Sequence, residues 1–246
     1  MSFCTIGWFA NSIGKQVQMN VILPDSGKGP FATFYLLHGL SDDYSIWQRR
    51  TRIEAYIAGK PMIVVMPDGY RGWYTNNDAG PTYFDYMTKD VIEFTERTFP
   101  AKRTRNGRCI GGLSMGGYGA LRVGLGRPDL FASVNSHSGA LWRASTNQKA
   151  EIPEFVRVLG KRPQGTDHDL VELARRCQKS DNLPKMLLDC GTEDFLLEEN
   201  RQYHAALTKL KIDHIYREFP GAHTWDYWDT HVQEAIAFHC KNLKIG

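Results

Sequence analysis

The chain has 246 residues, 42% of them hydrophobic and 23% charged, with a formal net charge of +3 at pH 7. These are the proportions of a folded domain with a sizeable core, and they exclude an intrinsically disordered chain. The charge is too small for a nucleic-acid footprint and no apolar run approaches the roughly 18 residues of a membrane span, so neither nucleic acid nor membrane is an expected partner.

The order of elements reads as strands alternating with helices. Val17, Met19, Val21 and Leu23 alternate in a strand that stops at Pro24-Asp25-Ser26-Gly27, and the opening stretch Phe3 to Phe9 is placed to pair with it antiparallel. Phe31 to Leu37 and Met62 to Met66 are nearly continuous apolar runs, as expected of strands buried on both faces. Helical periodicity spans Ile46 to Ile57. Tyr70 to Tyr86 is dense in aromatics and turn formers and reads as a long surface loop running into a helix through Met87, Val91 and Phe94.

A strand at Cys109-Ile110 then meets the pentad Gly112-Leu113-Ser114-Met115-Gly116, followed by a helix-compatible stretch from Tyr118. Strand, sharp turn and helix around G-x-S-x-G form a nucleophile elbow, in which the glycines relieve collisions and the serine stands exposed at the sheet edge. Phe131 to Asn135 is a further strand. Residues 141–184 break the alternation with two short amphipathic patterns, Pro153 to Leu159 and Asp169 to Cys177, and read as an insertion that caps the site, joins copies in a homo-oligomer, or is a plain crossover. Strand Met186 to Cys190, a helix near Leu196 to Leu210, strand Ile212 to Phe219 and a helix near Tyr227 to Asn242 complete the chain. The expected fold is one α/β domain over 1–246, with a mostly parallel sheet covered by helices on both faces.

The five cysteines are odd in number and scattered, with no C-x-x-C pair, so neither a disulfide framework nor a metal site is expected. No signal-type segment opens the chain, which makes the cytoplasm the expected compartment.

Serine needs a base to take its proton and an acid to orient that base, and on a hydrolase sheet the three arrive in the order serine, acid, histidine. Asp194, in the loop after the Met186 strand, and His223, in the loop after the next, supply them; Asp189 lies inside a strand and Glu193 should point away. Backbone N–H groups of Met115, after the nucleophile, and of Leu40, after the Phe31 strand, are placed to meet an oxyanion. His38-Gly39 then shapes that loop. The surrounding aromatics suggest an apolar acyl pocket with Trp47, Trp142 and Trp225 as substrate contacts, about half of the aromatics being core, and no basic cluster is evident there.

His38-Gly39-Leu40, Pro67-Asp68-Gly69, Gly112 to Ala120, Gly191-Thr192-Glu193-Asp194 and Gly221-Ala222-His223-Thr224-Trp225 together resemble the esterase D-like branch of the α/β hydrolases. The look is closest to tributyrin esterases, with S-formylglutathione hydrolases, feruloyl esterases and mycolyltransferases as relatives. The resemblance implies a cofactor-free carboxylic ester hydrolase with Ser114 as nucleophile, His223 as base and Asp194 as orienting acid, acting on a small acyl ester. Thioester hydrolysis and acyl transfer to an alcohol use the same machinery and remain alternatives. A binding module on a hydrolase fold is disfavoured by the intact trio, and a dinucleotide site by the absence of the Rossmann spacing.

Overall fold

The computed structural model describes residues 2–146, 153–180 and 182–245. The apolar runs become an eight-stranded sheet, ordered β1 (Ser2–Ala10), β2 (Lys15–Leu23), β4 (Met62–Pro67), β3 (Ala32–Leu37), β5 (Arg108–Leu113), β6 (Ser133–His137), β7 (Lys185–Gly191) and β8 (Ile215–Phe219). From β4 to β8 every pairing is parallel, while β1 and β2 form an antiparallel hairpin that joins β4 through Met19 to Ile22. All residues of β3, β4 and β5 are buried, which is why they read as continuous apolar runs and not as alternating ones.

Side-chain alternation divides the core between the two faces. Tyr35 and Leu37 enter a cluster with Tyr74, Tyr118 and Phe131, whereas Phe34 and Leu36 enter one with Trp47, Trp228 and Ile236. The first face carries α4 (Ile92–Thr98), α5 (Met115–Gly126), α7 (Leu170–Cys177) and α8 (Leu197–Lys209); the second carries α1 (Ile46–Arg50), α2 (Ile53–Ile57) and the long α9 (Trp225–Leu243).

The expected single helix from Ile46 to Ile57 is two helices of five residues each. Thr51 turns extended between them, its hydroxyl accepts the Ile53 N–H at 3.2 Å, and the next N–H, of Arg52, goes to Asp229 on α9 at 2.9 Å. A threonine side chain has replaced the helical ladder there.

The expected surface loop from Tyr70 to Tyr86 is exposed only at 70, 71 and 78–81, and its aromatics Trp73, Tyr74, Tyr83 and Tyr86 are buried. Trp73 packs edge-on against Tyr118 and Phe155 at 5.4 and 5.1 Å between ring centroids, so this loop is a wall of the core. The helix that follows starts earlier than expected, at α3 (Tyr83–Asp85), and passes through a π-helical stretch, Tyr86–Val91, before α4. Strand β6 runs two residues further than read, to His137, where it pairs with Asp189.

Between β6 and β7, α6 (Pro153–Leu159) packs Phe155 on Trp73, and α7 packs against α5 in the helical layer. Residues 147–152 and 181 of the 141–184 reading lie outside the described residues. Among the described residues no helix is long and apolar enough to cross a membrane, and the five cysteines are free thiols.

His239 on α9 is buried against the sheet, with Ser133 Oγ 2.8 Å from Nδ1 and Asn135 Oδ1 2.9 Å from Nε2. Nε2–H donates to the amide oxygen and Nδ1 accepts from the hydroxyl, a neutral ring. Burial, with the neighbouring His137 adding to it, pushes its pKa down to about 3. An unfolded histidine titrates near 6.5, so between about pH 6.5 and pH 3 the unfolded chain holds a proton that the folded chain refuses, and stability falls as pH drops through that window. Calorimetry should show His239→Gln with a lower Tm at pH 7 and a smaller further loss of Tm between pH 7 and pH 4.5 than the parent.

Candidate active site

Ser114 is the hinge between β5 and α5 and has φ 53° and ψ −117°, a conformation that non-glycine residues rarely hold. Three bonds fix it: its N–H donates to His137 O at 3.0 Å, and its carbonyl accepts from Tyr118 at 3.1 Å and Ala140 at 3.2 Å. The flanking glycine is needed for close approach, since a Cβ on Gly116 would lie 2.6 Å from the carbonyl oxygens of both Leu37 and His38. Helix α5 thus starts directly against the end of β3.

The acid and histidine loops are stitched to each other. Glu193 N–H donates to Gly221 O at 2.9 Å and its carboxylate accepts the Gly221 N–H at 2.6 Å, so Glu193 ties the histidine loop in place and is not free to orient a base. A Cβ on Gly191 would come within 2.1 Å of the same Gly221 oxygen, which shows how tightly the two backbones meet.

Asp194 Oδ2 accepts from His223 Nδ1 at 2.8 Å, and His223 Nε2 lies 3.1 Å from Ser114 Oγ. The Asp194 side chain has no exposed surface. Burial alone would raise its pKa, but the hydrogen bonds from His223, the Leu196 N–H and the Ser138 hydroxyl outweigh it and hold the carboxyl below its usual range. Phe195 lies against the imidazole at 4.5 Å and Trp228 meets it edge-on at 4.8 Å, so the ring has little room to turn.

A second buried Asp–His pair lies behind the elbow. His137 has Nδ1 2.7 Å from Asp189 Oδ2, and Tyr227 donates to the other oxygen at 3.0 Å. Its Nε2 is buried and unpartnered among the described residues, so this pair ties β6 to β7 and to Tyr227, and its imidazole offers no nitrogen to a serine hydroxyl.

In the loop after β3, His38 is a buried clamp: Nδ1 donates to Gly39 O at 2.7 Å and Nε2 accepts the Gly69 N–H at 2.9 Å. Tyr74 Oη bonds both the N–H and the carbonyl of His38. The loop therefore turns sharply at Gly39 and brings Leu40 to the cavity. Neither the Leu40 N–H nor the Met115 N–H, the first of α5, has an acceptor among the described residues.

The cavity over Ser114 has a volume of about 400 Å³ and is walled by Leu40, Leu113, Phe195, His223, Trp225 and Trp228, with Arg71 at one side. Of the three tryptophans expected as substrate contacts, only Trp225 lines it. Trp47 is 1% exposed, donates its indole N–H to Leu37 O at 3.0 Å and supports Trp225 edge-on at 5.3 Å. Trp142 is packed on the core cluster of the first face. Phe195, Trp228 and Arg71 were missed; Trp228 was signalled by lying three residues after Trp225 in a helix, on the same side of it. Among the described residues no group of three or more His, Cys, Asp or Glu side chains is placed to hold a metal.

The model of the Esterase family matches residues 10–239. The chain belongs to the Esterase family. An acetyl esterase of Caldicellulosiruptor saccharolyticus is 31% identical over 263 aligned positions, covering 98% of this chain and 99% of that protein. FphF, a fluorophosphonate-binding serine hydrolase of Staphylococcus aureus, is similar in structure with a TM-score of 0.87 at 28% identity, covering 97% of this chain and 98% of that one. An S-formylglutathione hydrolase (FrmB) of the same organism gives a TM-score of 0.86 at 29% identity, with coverage of 97% and 98%. This member of the Esterase family is an ester-hydrolysing enzyme with the α/β-hydrolase fold.

Because two backbone oxygens crowd the position a Cβ would take, Gly116→Ala should destabilise the fold by about 2 kcal/mol or more in urea denaturation. Gly7→Ala, where the nearest atom is 4.0 Å away, should change stability by less than about 0.5 kcal/mol.

Proposed function

We propose that the chain is a serine carboxylesterase that hydrolyses short-chain acyl esters through an acyl-enzyme on Ser114, His223 and Asp194. The observation that carries this reading is the unbroken contact chain from the buried Asp194 carboxylate through His223 to Ser114 Oγ, ending in an open cavity. His223 Nε2 takes the Ser114 proton as Oγ attacks the acyl carbonyl, and Asp194 holds Nδ1–H so that Nε2 is the basic nitrogen. The carbonyl oxygen becomes an oxyanion, which the N–H groups of Met115 and Leu40 meet at the positive end of α5. His223 then returns the proton to the leaving alcohol, and a water activated in the same way cleaves the acyl-enzyme.

The apolar walls of the cavity support an acyl chain of limited length. Each buried methylene contributes about 0.8 kcal/mol, so preference should be graded from acetyl to roughly hexanoyl and fall once the chain outgrows about 400 Å³. Thioester hydrolysis is the second reading, favoured by the structural likeness to FrmB. Comparing kcat/KM for acetyl, butyryl, octanoyl and feruloyl esters with that for S-formylglutathione separates them: a thioester value about a hundredfold above the best simple ester would establish the second.

Ser114→Ala should remain folded, lose turnover by about 10⁴-fold or more and lose fluorophosphonate labelling. Asp194→Asn should cost on the order of 10³- to 10⁴-fold in kcat, because it favours the wrong imidazole tautomer. Glu193→Gln should cost less than about tenfold, with a lower Tm from the weakened tie to Gly221. Equal losses of kcat in the two variants would overturn the assignment of the acid.

A further inference from the structure

Beside the cavity over Ser114 lies a second one, of about 430 Å³, walled by Tyr70, Tyr83 and Arg71 and edged by Lys15 and Arg157. Arg71 lines both. Topology explains the juxtaposition. Strand β2 is antiparallel to β4, with Met19 opposite Pro67, so Lys15 at its start lies beyond the carboxyl end of β4, where the 68–83 loop departs. Arg157 arrives from α6, whose Arg157 and Val158 carbonyls accept the N–H groups of Ala79 and Asp78 at 3.0 and 3.1 Å.

The charges in this second cavity are unevenly matched. Arg71 is committed to Glu154 by two bonds, at 2.8 and 2.6 Å. Lys15 Nζ stands 5.2 Å from the Tyr70 ring centroid and is partly offset by Asp68 nearby. Arg157 is exposed and has no acidic partner among the described residues. A positive rim is left around aromatic walls.

Tyr70 supplies a second observation. Its backbone is left-handed, with φ 47°, and its N–H is held by Asp68 Oδ1 at 2.8 Å, yet the residue is 59% exposed. A bulky residue in that conformation costs about 1 kcal/mol or more, and so exposed a ring gains little burial in return. Trp73 and Tyr74 in the same loop share this conformation but are buried, so of the three Tyr70 alone presents its ring to the cavity without compensating burial.

We propose, on the reading of the chain as a serine esterase, that this cavity binds a carboxylate carried by the substrate at the end remote from the reacting carbonyl. Lys15 and Arg157 meet the charge, and the Tyr70 and Tyr83 rings flank the connecting chain. The substrate class is therefore an ester with an acidic tail: the ester of a hydroxy acid, or the monoester of a dicarboxylic acid.

The test measures a ratio of kcat/KM values, carboxylate over its own methyl ester, in two series of four to eight carbons: ω-acetoxyalkanoates for an alcohol-side tail and monoethyl dicarboxylates for an acyl-side tail. From six carbons upward the tail is too far from the reacting carbon to alter its intrinsic reactivity, so the ratio there reads recognition. In one series the parent should favour the carboxylate by about five- to tenfold with an optimum length, the preference weakening in 0.5 M salt. Lys15→Gln with Arg157→Gln should bring the ratio close to one, and Lys15→Glu with Arg157→Glu should invert it. A parent ratio near one in both series, or a preference that survives both double variants, overturns the proposal. Hydrolysis of 4-nitrophenyl acetate and fluorophosphonate labelling of the parent report the esterase reading separately, so failure of the acidic-tail site is distinguishable from failure of that reading.

Discussion

The site depends on one backbone conformation, that of Ser114. Left to itself a serine avoids φ 53° and ψ −117°, at a cost of about 1 to 3 kcal/mol, and the conformation persists because its surroundings over-determine it. The N–H and carbonyl are both taken, by His137, Tyr118 and Ala140, and α5 is pressed against the end of β3 at a glycine. The strain lifts the side chain out of the sheet edge and aims the first turn of α5 at the space above it. A relaxed serine would lose both the exposure of Oγ and the alignment of the Met115 N–H.

The loops around the elbow are held in place by a related device. Each is tied to a neighbour through polar groups that are otherwise engaged: Tyr74 clasps both backbone groups of His38, and Glu193 holds Gly221 through backbone and side chain. Buried hydrogen bonds of this kind are worth most as geometry, since breaking one leaves a partner unsatisfied. The contrast between the two Asp–His pairs makes the point. Asp189 and His137 have the closer contact, 2.7 Å, but they are sealed inside the sheet, whereas Asp194 and His223 sit in loops that face a hydroxyl and an open cavity. Access, and not the strength of the pair, distinguishes them.

The aromatic 70–86 loop has a double office. Its inner face, Trp73, Tyr74 and Tyr83, completes the core and fixes the loop at His38 and Gly39; its outer face, Tyr70 and Arg71, borders the space above Ser114. Helix α6 meets this loop through Phe155 and Glu154. Helix α6 therefore adjoins the cavity over Ser114 through Arg71, by contacts that neither segment's composition foretells.

The sequence by itself determined the strand–helix alternation, the pentad and the order of serine, acid and histidine, because these follow from local periodicity and from turns that only certain residues permit. It could not separate core tryptophans from pocket tryptophans: Trp47, Trp142 and Trp225 are alike as residues, and only packing buries the first, layers the second on the core and exposes the third to the cavity. It could not see that His137 has a partner, since Asp189 is brought opposite only by the register of β6 on β7. Nor could it assemble Lys15, Arg71 and Arg157, which lie far apart in the chain and meet because an antiparallel strand, a loop and an inserted helix end at one edge of the sheet. Periodicity and turn chemistry act over a few residues, while burial, pairing and the summing of charge are properties of which distant segments the fold makes neighbours.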